Sequence, residues 1–291
     1  MPAEPTLPLA GMPERLYVAS PSRLLTYLDC PRRYRMTYLQ RPAPPPGPPW
    51  AHLSFGSSIH LALRGWYDLP AQERTDTAAA RLLRAGWVDD GYRDDQQSVA
   101  YREHAADLVA AYVRGLDPTE EPLGAERTVS LRTATLAVTG RVDRLDERVV
   151  DGARELVVVD YKTGRRPPEV SDARGSLALA LYAVAAGRVL RRTCRRVELH
   201  HVPSGAVASW THTPESLERQ VARAEDIGAE AAGLDRAWAD GLAERPGDWD
   251  AAFPPRPGPQ CAWCDVARHC PQGSAAAPRK PSWAGLAELA G

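Results

Sequence analysis

The stretch Leu156-Val157-Val158-Val159-Asp160-Tyr161-Lys162-Thr163-Gly164 is the most strand-like part of the chain, and it constrains the fold most. Its apolar run predicts a strand more buried than its neighbours, and a buried strand needs a sheet with helices packed on it. The strand closes on an acid and a lysine two positions apart, so both side chains leave the same face. That lysine is notable because the chain has only two, Lys162 and Lys280, among 36 basic residues. Arginine stays protonated, whereas an ammonium is compact and tunable by burial and neighbours. Asp160 beside Lys162 suggests a catalytic pair; on these residues alone a salt-bridged strand end fits equally well.

The rest of the pattern builds an α/β core around that strand. Residues 1–15 read as a disordered leader. Ser20-Pro21 opens a helix with Leu24, Leu25, Leu28, Tyr34 and Tyr38 on its apolar stripe, and Pro31 kinks or divides it. Six prolines between Arg41 and Trp50 make a stiff surface loop. Phe55 to Tyr67 has helical spacing and carries His60, and helical periodicity over 76–115 reads as an insertion spanning 66–120. From Glu126 the period changes to two. Thr128–Leu131 and Leu136–Asp143 form a hairpin, Leu156–Tyr161 a third strand and Arg196–Val202 a fourth, with a helix over Leu177–Leu190 before the last. A long amphipathic helix covers 214–242, and the Ala/Pro/Ser-rich residues 272–291 read as a flexible tail. Helix, three strands, helix, strand is an α/β fold with a mixed sheet.

Composition sets limits. The 291 residues allow one or two domains, and 44% hydrophobic with 25% charged residues is a globular balance. A net charge of −1 means that any nucleic-acid site is a local cluster. No apolar run approaches the ~20 residues of a membrane span and no signal peptide opens the chain, so a cytoplasmic protein without a membrane partner is expected. Five cysteines in such a compartment point to metal binding or catalysis rather than disulfides.

Asp143, late in the second strand, and Asp160, ending the third, lie within reach of one divalent cation, since adjacent strands are ~4.8 Å apart. Hard oxygen ligands suit Mg²⁺ or Mn²⁺, with Lys162 beside the attacking water. The pair Gly140-Arg141-Val142-Asp143-Arg144-Leu145-Asp146 and Val159-Asp160-Tyr161-Lys162-Thr163-Gly164 resembles the motifs of the PD-(D/E)XK nucleases. The closer similarity is to the RecB-like branch, which includes CRISPR adaptation nucleases and the nuclease domains of helicase–nucleases. The resemblance covers about Ser20 to Pro271 and implies a restriction-endonuclease-like core, a nuclease domain over 16–271. It implies that His60, in Phe55-Gly56-Ser57-Ser58-Ile59-His60, holds the metal with Asp143, Asp160 and the Tyr161 carbonyl. It makes Lys162 the catalytic lysine and Glu126 an additional acid. Alone, His60 fits an ordinary helix histidine, and Arg144 with Asp146 reads as a solvated strand-end pair. The branch also has a glutamine four residues before a helical tyrosine; Tyr182 is here, but Ala178 replaces the glutamine.

Cys261-Ala262-Trp263-Cys264 followed by Cys270-Pro271 has metal-ligand spacing, and Cys30 offers a distant fourth thiol. Ligand chemistry leaves zinc open, with His269 as an alternative donor. The resemblance implies a [4Fe–4S] cluster on Cys30, Cys261, Cys264 and Cys270, a clasp joining the chain ends, and leaves Cys194 a buried structural thiol. Tyr182, Arg32, Arg33, Arg191 and Arg192 are candidate contacts to DNA. The expected activity is a Mg²⁺- or Mn²⁺-dependent exonuclease on single-stranded DNA or ends, in repair or recombination. No P-loop motif occurs, so unwinding falls to a helicase or another repair protein. A non-catalytic DNA-binding scaffold, which tends to lose the acid–lysine set, and a zinc-stapled interaction protein are the competing readings.

Overall fold

Six strands, β1 (Tyr17–Ala19), β2 (Gly124–Arg132), β3 (Leu136–Val150), β4 (Ala153–Lys162), β5 (Cys194–His201) and β6 (Val207–Thr211), form one mixed sheet. The structure is a computed structural model that describes residues 16–150 and 152–286. Sheet order is β1-β3-β4-β5-β6, with β2 also on β3. The hairpin β2–β3 is antiparallel, as is β3–β4, where Arg144 pairs with Val159. Strand β5 runs parallel to β4, setting Leu199 beside Asp160. A parallel neighbour needs a crossover. Helices α6 (Val170–Gly175) and α7 (Leu177–Leu190) supply it, the latter at the predicted limits. In chain order the earlier helices are α1 (Pro21–Asp29), α2 (Pro31–Tyr34), α3 (Ala51–Tyr67), α4 (Asp76–Ala85) and α5 (Asp95–Val113). The later ones are α8 (Pro214–Ala239), α9 (Trp249–Ala252) and α10 (Pro271–Ala276).

Strand β4 explains the layering. Leu156 and Val158 enter a core shared with α1, α7 and α8, whereas Val157, Val159 and Tyr161 enter a second core with α3, α4 and α5. Both faces are covered, so the strand reads as a continuous apolar run rather than an alternation. Each fully buried valine here stabilises the fold by about 1.5–3 kcal/mol. The mixed sheet flanked by helices is the expected core.

Local signals set the helix ends. The Ser20 hydroxyl accepts the Arg23 N–H at 3.1 Å and starts α1. Pro31 divides α1 from α2, forcing Cys30 into extended backbone (φ −162°). Other boundaries move. Helix α3 begins at Ala51, four residues before the expected start. Strand β3 continues past Asp143 because its charged residues find partners: Asp146 lies 3.0 Å from Arg144 and 2.6 Å from Arg148. Two strands escaped the sequence reading. Strand β1 has three residues, too few to show alternation, and β6 follows a tight turn at Gly205 (φ +69°).

The expected flexible tail needs correction over its described part. Residues 271–276 are helical, and Leu286 is buried with Trp283 against the α3–α5 core. The Ser282 hydroxyl donates to the Gly91 carbonyl at 2.6 Å, and its own carbonyl accepts the Ala51 N–H at 3.0 Å. Two apolar anchors inside a small, polar composition hold it down. The leader 1–15 and the last five residues of the tail lie outside the described residues.

One buried charge beside the second core gives a stability test. Glu198 is 2% exposed. It accepts from Arg196 at 2.7 Å and Arg148 at 3.0 Å, and lies 2.9 Å from His200 Nε2. Burial alone would push its carboxyl up, but His200, Arg148 and Arg196 outweigh that and hold it down at about 2. A carboxyl depressed below its usual ~4.3 stabilises the fold above that pH, and the contribution fades as pH falls through the native value. Glu198→Gln is therefore expected to cost about 3 kcal/mol at pH 7 in urea unfolding. The gap to wild type should shrink to less than half by pH 3; a gap unchanged between the two pH values would contradict the assignment.

Candidate active site

The polar end of β4 opens into a cleft of about 940 Å³ between α3 and the β2–β3 hairpin. Asp143 crosses from β3 to β4: its Oδ2 accepts the Tyr161 N–H at 2.8 Å. Its Oδ1 lies 3.4 Å from His60 Nδ1. Helix α3 presents His60 so that Nε2 faces the Tyr161 carbonyl at 3.2 Å. Glu126 reaches the same place from β2 by a backbone kink. It sits between the pairs Ala125–Arg144 and Arg127–Val142 with φ at +51°, a conformation non-glycine residues rarely adopt. Its Oε1 lies 3.9 Å from His60 Nδ1 and its Oε2 2.9 Å from Arg141. The strain is local and serves the convergence.

Ligand atoms of His60, Glu126 and Asp143 all lie within 4.8 Å of one another. Of the predicted metal set, His60, Asp143 and the Tyr161 carbonyl are thus brought together, and Glu126 joins them as a full member. Asp160 stands differently. Its Oδ2 is 2.6 Å from Lys162 Nζ, and this buried oxygen takes no well-directed hydrogen bond. Burial pushes the Asp160 carboxyl up, Lys162 opposes that, and Asp143 adds to it. Burial pulls His60 down, yet Asp143, Asp160 and Glu126 together hold it above its ordinary value. A site with this excess of negative charge and an under-satisfied carboxylate fits a hard divalent cation on oxygen and imidazole donors.

Neighbouring residues shape the cleft. Tyr182 from α7 lies against Gly140, where a Cβ would come within 2.4 Å of the ring, so a side chain at this position would displace Tyr182 from its place in the cleft. Arg144 is buried rather than solvated: it donates to the Tyr67 hydroxyl at 2.6 Å and the Tyr161 hydroxyl at 3.4 Å, fixing the residue between Asp160 and Lys162. His201 Nε2 lies 2.7 Å from the Gly164 carbonyl and holds the turn after Lys162.

Tyr182 alone among the proposed DNA contacts lines the cleft. Arg32 is buried, 2.7 Å from Asp250 and bonded to Gln272 at 2.6 Å, and Arg33 turns to Asp265 at 3.4 Å. Arg191 caps α7 in left-handed conformation, and Arg192 pairs with Glu147 at 2.7 Å. Glu147 is level with Leu156, four residues and about 13 Å up the strand from Asp160. Besides Lys162, the lysine and arginine side chains that do line the cleft are Arg64, Arg141 and Arg165. Arg64 had a signal, one helical turn after His60, and Arg141 lies inside the strand motif itself.

A second, smaller cavity of about 60 Å³ is lined by Cys30, Cys261, Cys264 and Cys270 together with Arg32 and Arg33. Two Cys-Pro steps make this meeting possible, since each proline puts its cysteine in extended backbone. The Cys270 sulfur accepts the Gly273 N–H at 3.3 Å. Cys194 lies elsewhere, in the core, where burial pushes its thiol up to about 12. His269 turns to the Pro45 carbonyl at 3.1 Å.

No curated protein matches the chain. A family model, however, matches residues 18–271, from β1 to the last cysteine–proline step, and spans hairpin, cleft and cysteine cavity alike. With that match over most of its length, the chain belongs to the PD-(D/E)XK nuclease superfamily.

Proposed function

We propose that the protein is a Mg²⁺- or Mn²⁺-dependent deoxyribonuclease of the RecB-like branch, acting as an exonuclease on single-stranded DNA or ends. The observation that carries this reading is the convergence of His60, Glu126 and Asp143 beside the Asp160–Lys162 pair. His60, Glu126, Asp143 and Asp160, with the Tyr161 carbonyl, would hold the cation. When bound, it neutralises phosphate charge and makes water a stronger nucleophile near neutral pH. Lys162 supplies positive charge where the phosphate gains negative charge, and Asp160 holds its ammonium in place. His60 donates through Nε2 to the Tyr161 carbonyl, which would leave the Nδ1 lone pair for the cation beside Asp143. Tyr182 offers a stacking face and Arg141 a phosphate contact. Leu53 and Leu61, exposed along the cleft face of α3, suit unpaired bases better than a duplex backbone.

The cysteine cavity is read as the seat of a structural [4Fe–4S] cluster. The four cysteines line one cavity, which supports a shared group there, and the choice of a cluster over zinc rests on the family resemblance. Phosphodiester hydrolysis needs no redox step, so the cluster would act as a staple between chain ends. No described helix is long and apolar enough to cross a membrane. A cytoplasmic repair setting with a helicase partner completes the proposal.

Asp143→Ala, Asp160→Ala and Lys162→Ala are each expected to lower cleavage of end-labelled single strands at least about 100-fold with unchanged circular dichroism. Lys162→Arg should not rescue, because guanidinium is bulkier and permanently charged. Wild-type rates in Lys162→Ala would overturn the role of Lys162, and wild-type protein that cleaves nothing with either cation would favour the non-catalytic scaffold.

Protein purified anaerobically is expected to be brown and to contain iron and sulfide. Cys30→Ser should bleach it and expose both chain ends to proteolysis about as severely as Cys264→Ser, while Cys194→Ser stays mild. Iron-free, zinc-loaded protein of full stability would contradict the cluster.

A further inference from the structure

His60 meets Asp143 at 3.4 Å and the Tyr161 carbonyl at 3.2 Å only if α3 stands at one axial position. The inner face of α3 is mainly apolar, with Phe55, Ile59, Leu63 and Trp66, and its polar contacts are few: Ser58 Oγ accepts the Val88 N–H at 3.0 Å and the Trp66 indole donates to the Thr75 carbonyl at 3.1 Å. Apolar packing is non-directional, so it presses the helix onto the sheet without fixing how far it slides along its axis. Directional bonds do that. Several lie at the N-terminal end, and they lead to the cysteine cavity.

Trp50 is the residue before α3, 5% exposed, and donates its indole N–H to Asp265 Oδ1 at 2.7 Å. Asp265 lies between Cys264 and Cys270. Its backbone carbonyl accepts the Gly47 N–H at 2.8 Å, and Arg33 approaches its Oδ2 at 3.4 Å. The same cysteine loop grips the proline segment further back, where Arg268 donates to the Pro45 and Pro46 carbonyls at 2.6 and 2.7 Å. Prolines have fixed φ, so a segment dense in them transmits a displacement instead of absorbing it. From Trp50 to His60 is ten residues, about 15 Å of helix.

We propose that Asp265 is a positioning residue of the catalytic site, acting through the Trp50 indole to set the axial place of α3 and so the affinity of the His60 site for a divalent cation. This rests on the reading of His60, Glu126 and Asp143 as a cation site. It gives the cysteine clasp a consequence beyond stapling: whatever orders the Cys264–Cys270 loop also aligns the helix that carries His60.

The test is Mn²⁺ titration followed by the paramagnetic resonance signal of free Mn²⁺, on protein with its cysteine-bound metal intact. Asp265→Ala and Trp50→Phe are expected to weaken Mn²⁺ binding roughly tenfold, with bound iron and circular dichroism unchanged. The Mn²⁺ requirement for cleavage should rise in parallel, with kcat at saturating Mn²⁺ retained. Asp265→Asn keeps an oxygen that accepts the indole N–H and should restore wild-type affinity. Should Asp265→Ala lose its iron, Trp50→Phe, outside the cysteine loop, decides. Wild-type affinity in Trp50→Phe, or Asp265→Asn as weak as Asp265→Ala, would overturn the proposal while leaving the cation site standing. Wild-type protein that binds no Mn²⁺ would overturn both.

Discussion

Strand β4 is covered on both faces, and the rest of the architecture follows from covering it. A strand buried on both faces has no room for polar side chains until it emerges from between the helical layers. Asp160 and Lys162 are placed at that point of emergence. The antiparallel register with β3 then brings Asp143 alongside, close enough to accept the Tyr161 N–H at 2.8 Å. One helical layer delivers His60, the other Tyr182. The site is thus where the two cores end.

Much of this was legible in the residues. The buried strand, the hairpin before it, α7 and the acid–lysine pair announce themselves through apolar runs, alternation and the scarcity of lysine. Cys30 was readable as the partner of Cys261, Cys264 and Cys270 only through family likeness, since nothing local in the sequence brings positions 30 and 264 together. Glu126 entered as an extra acid and proves a full member of the cluster, because a left-handed residue inside a strand has no sequence signature. The arginine clusters suggested a phosphate surface, and the structure places Arg32, Arg33, Arg191 and Arg192 away from the lining of the cleft, with Arg32, Arg33 and Arg192 paired to acids on distant segments. Besides Lys162, the cleft draws its cations from Arg64, Arg141 and Arg165, which stand apart in sequence.

The two cavities are mechanically joined. The cysteine cavity gathers both ends of the family-matched segment, and its loop holds the proline segment that leads into α3. On the proposed reading, His60 would be a cation ligand ten residues along a helix whose base is bonded to the cysteine loop. The short β1, the buried Leu286 and the bond from Ala51 to Ser282 serve the same end, anchoring peripheral segments to the two cores.

Everything proposed for this protein turns on whether the end of β4 holds a divalent cation. The most direct measurement is anomalous diffraction at the manganese edge from crystals soaked in Mn²⁺. The expected result is a peak bonded to His60, Asp143 and at least one of Glu126 and Asp160, about 2.1 Å from oxygen and imidazole nitrogen. Fully occupied Mn²⁺ elsewhere on the molecule, with no peak between those side chains, would contradict it.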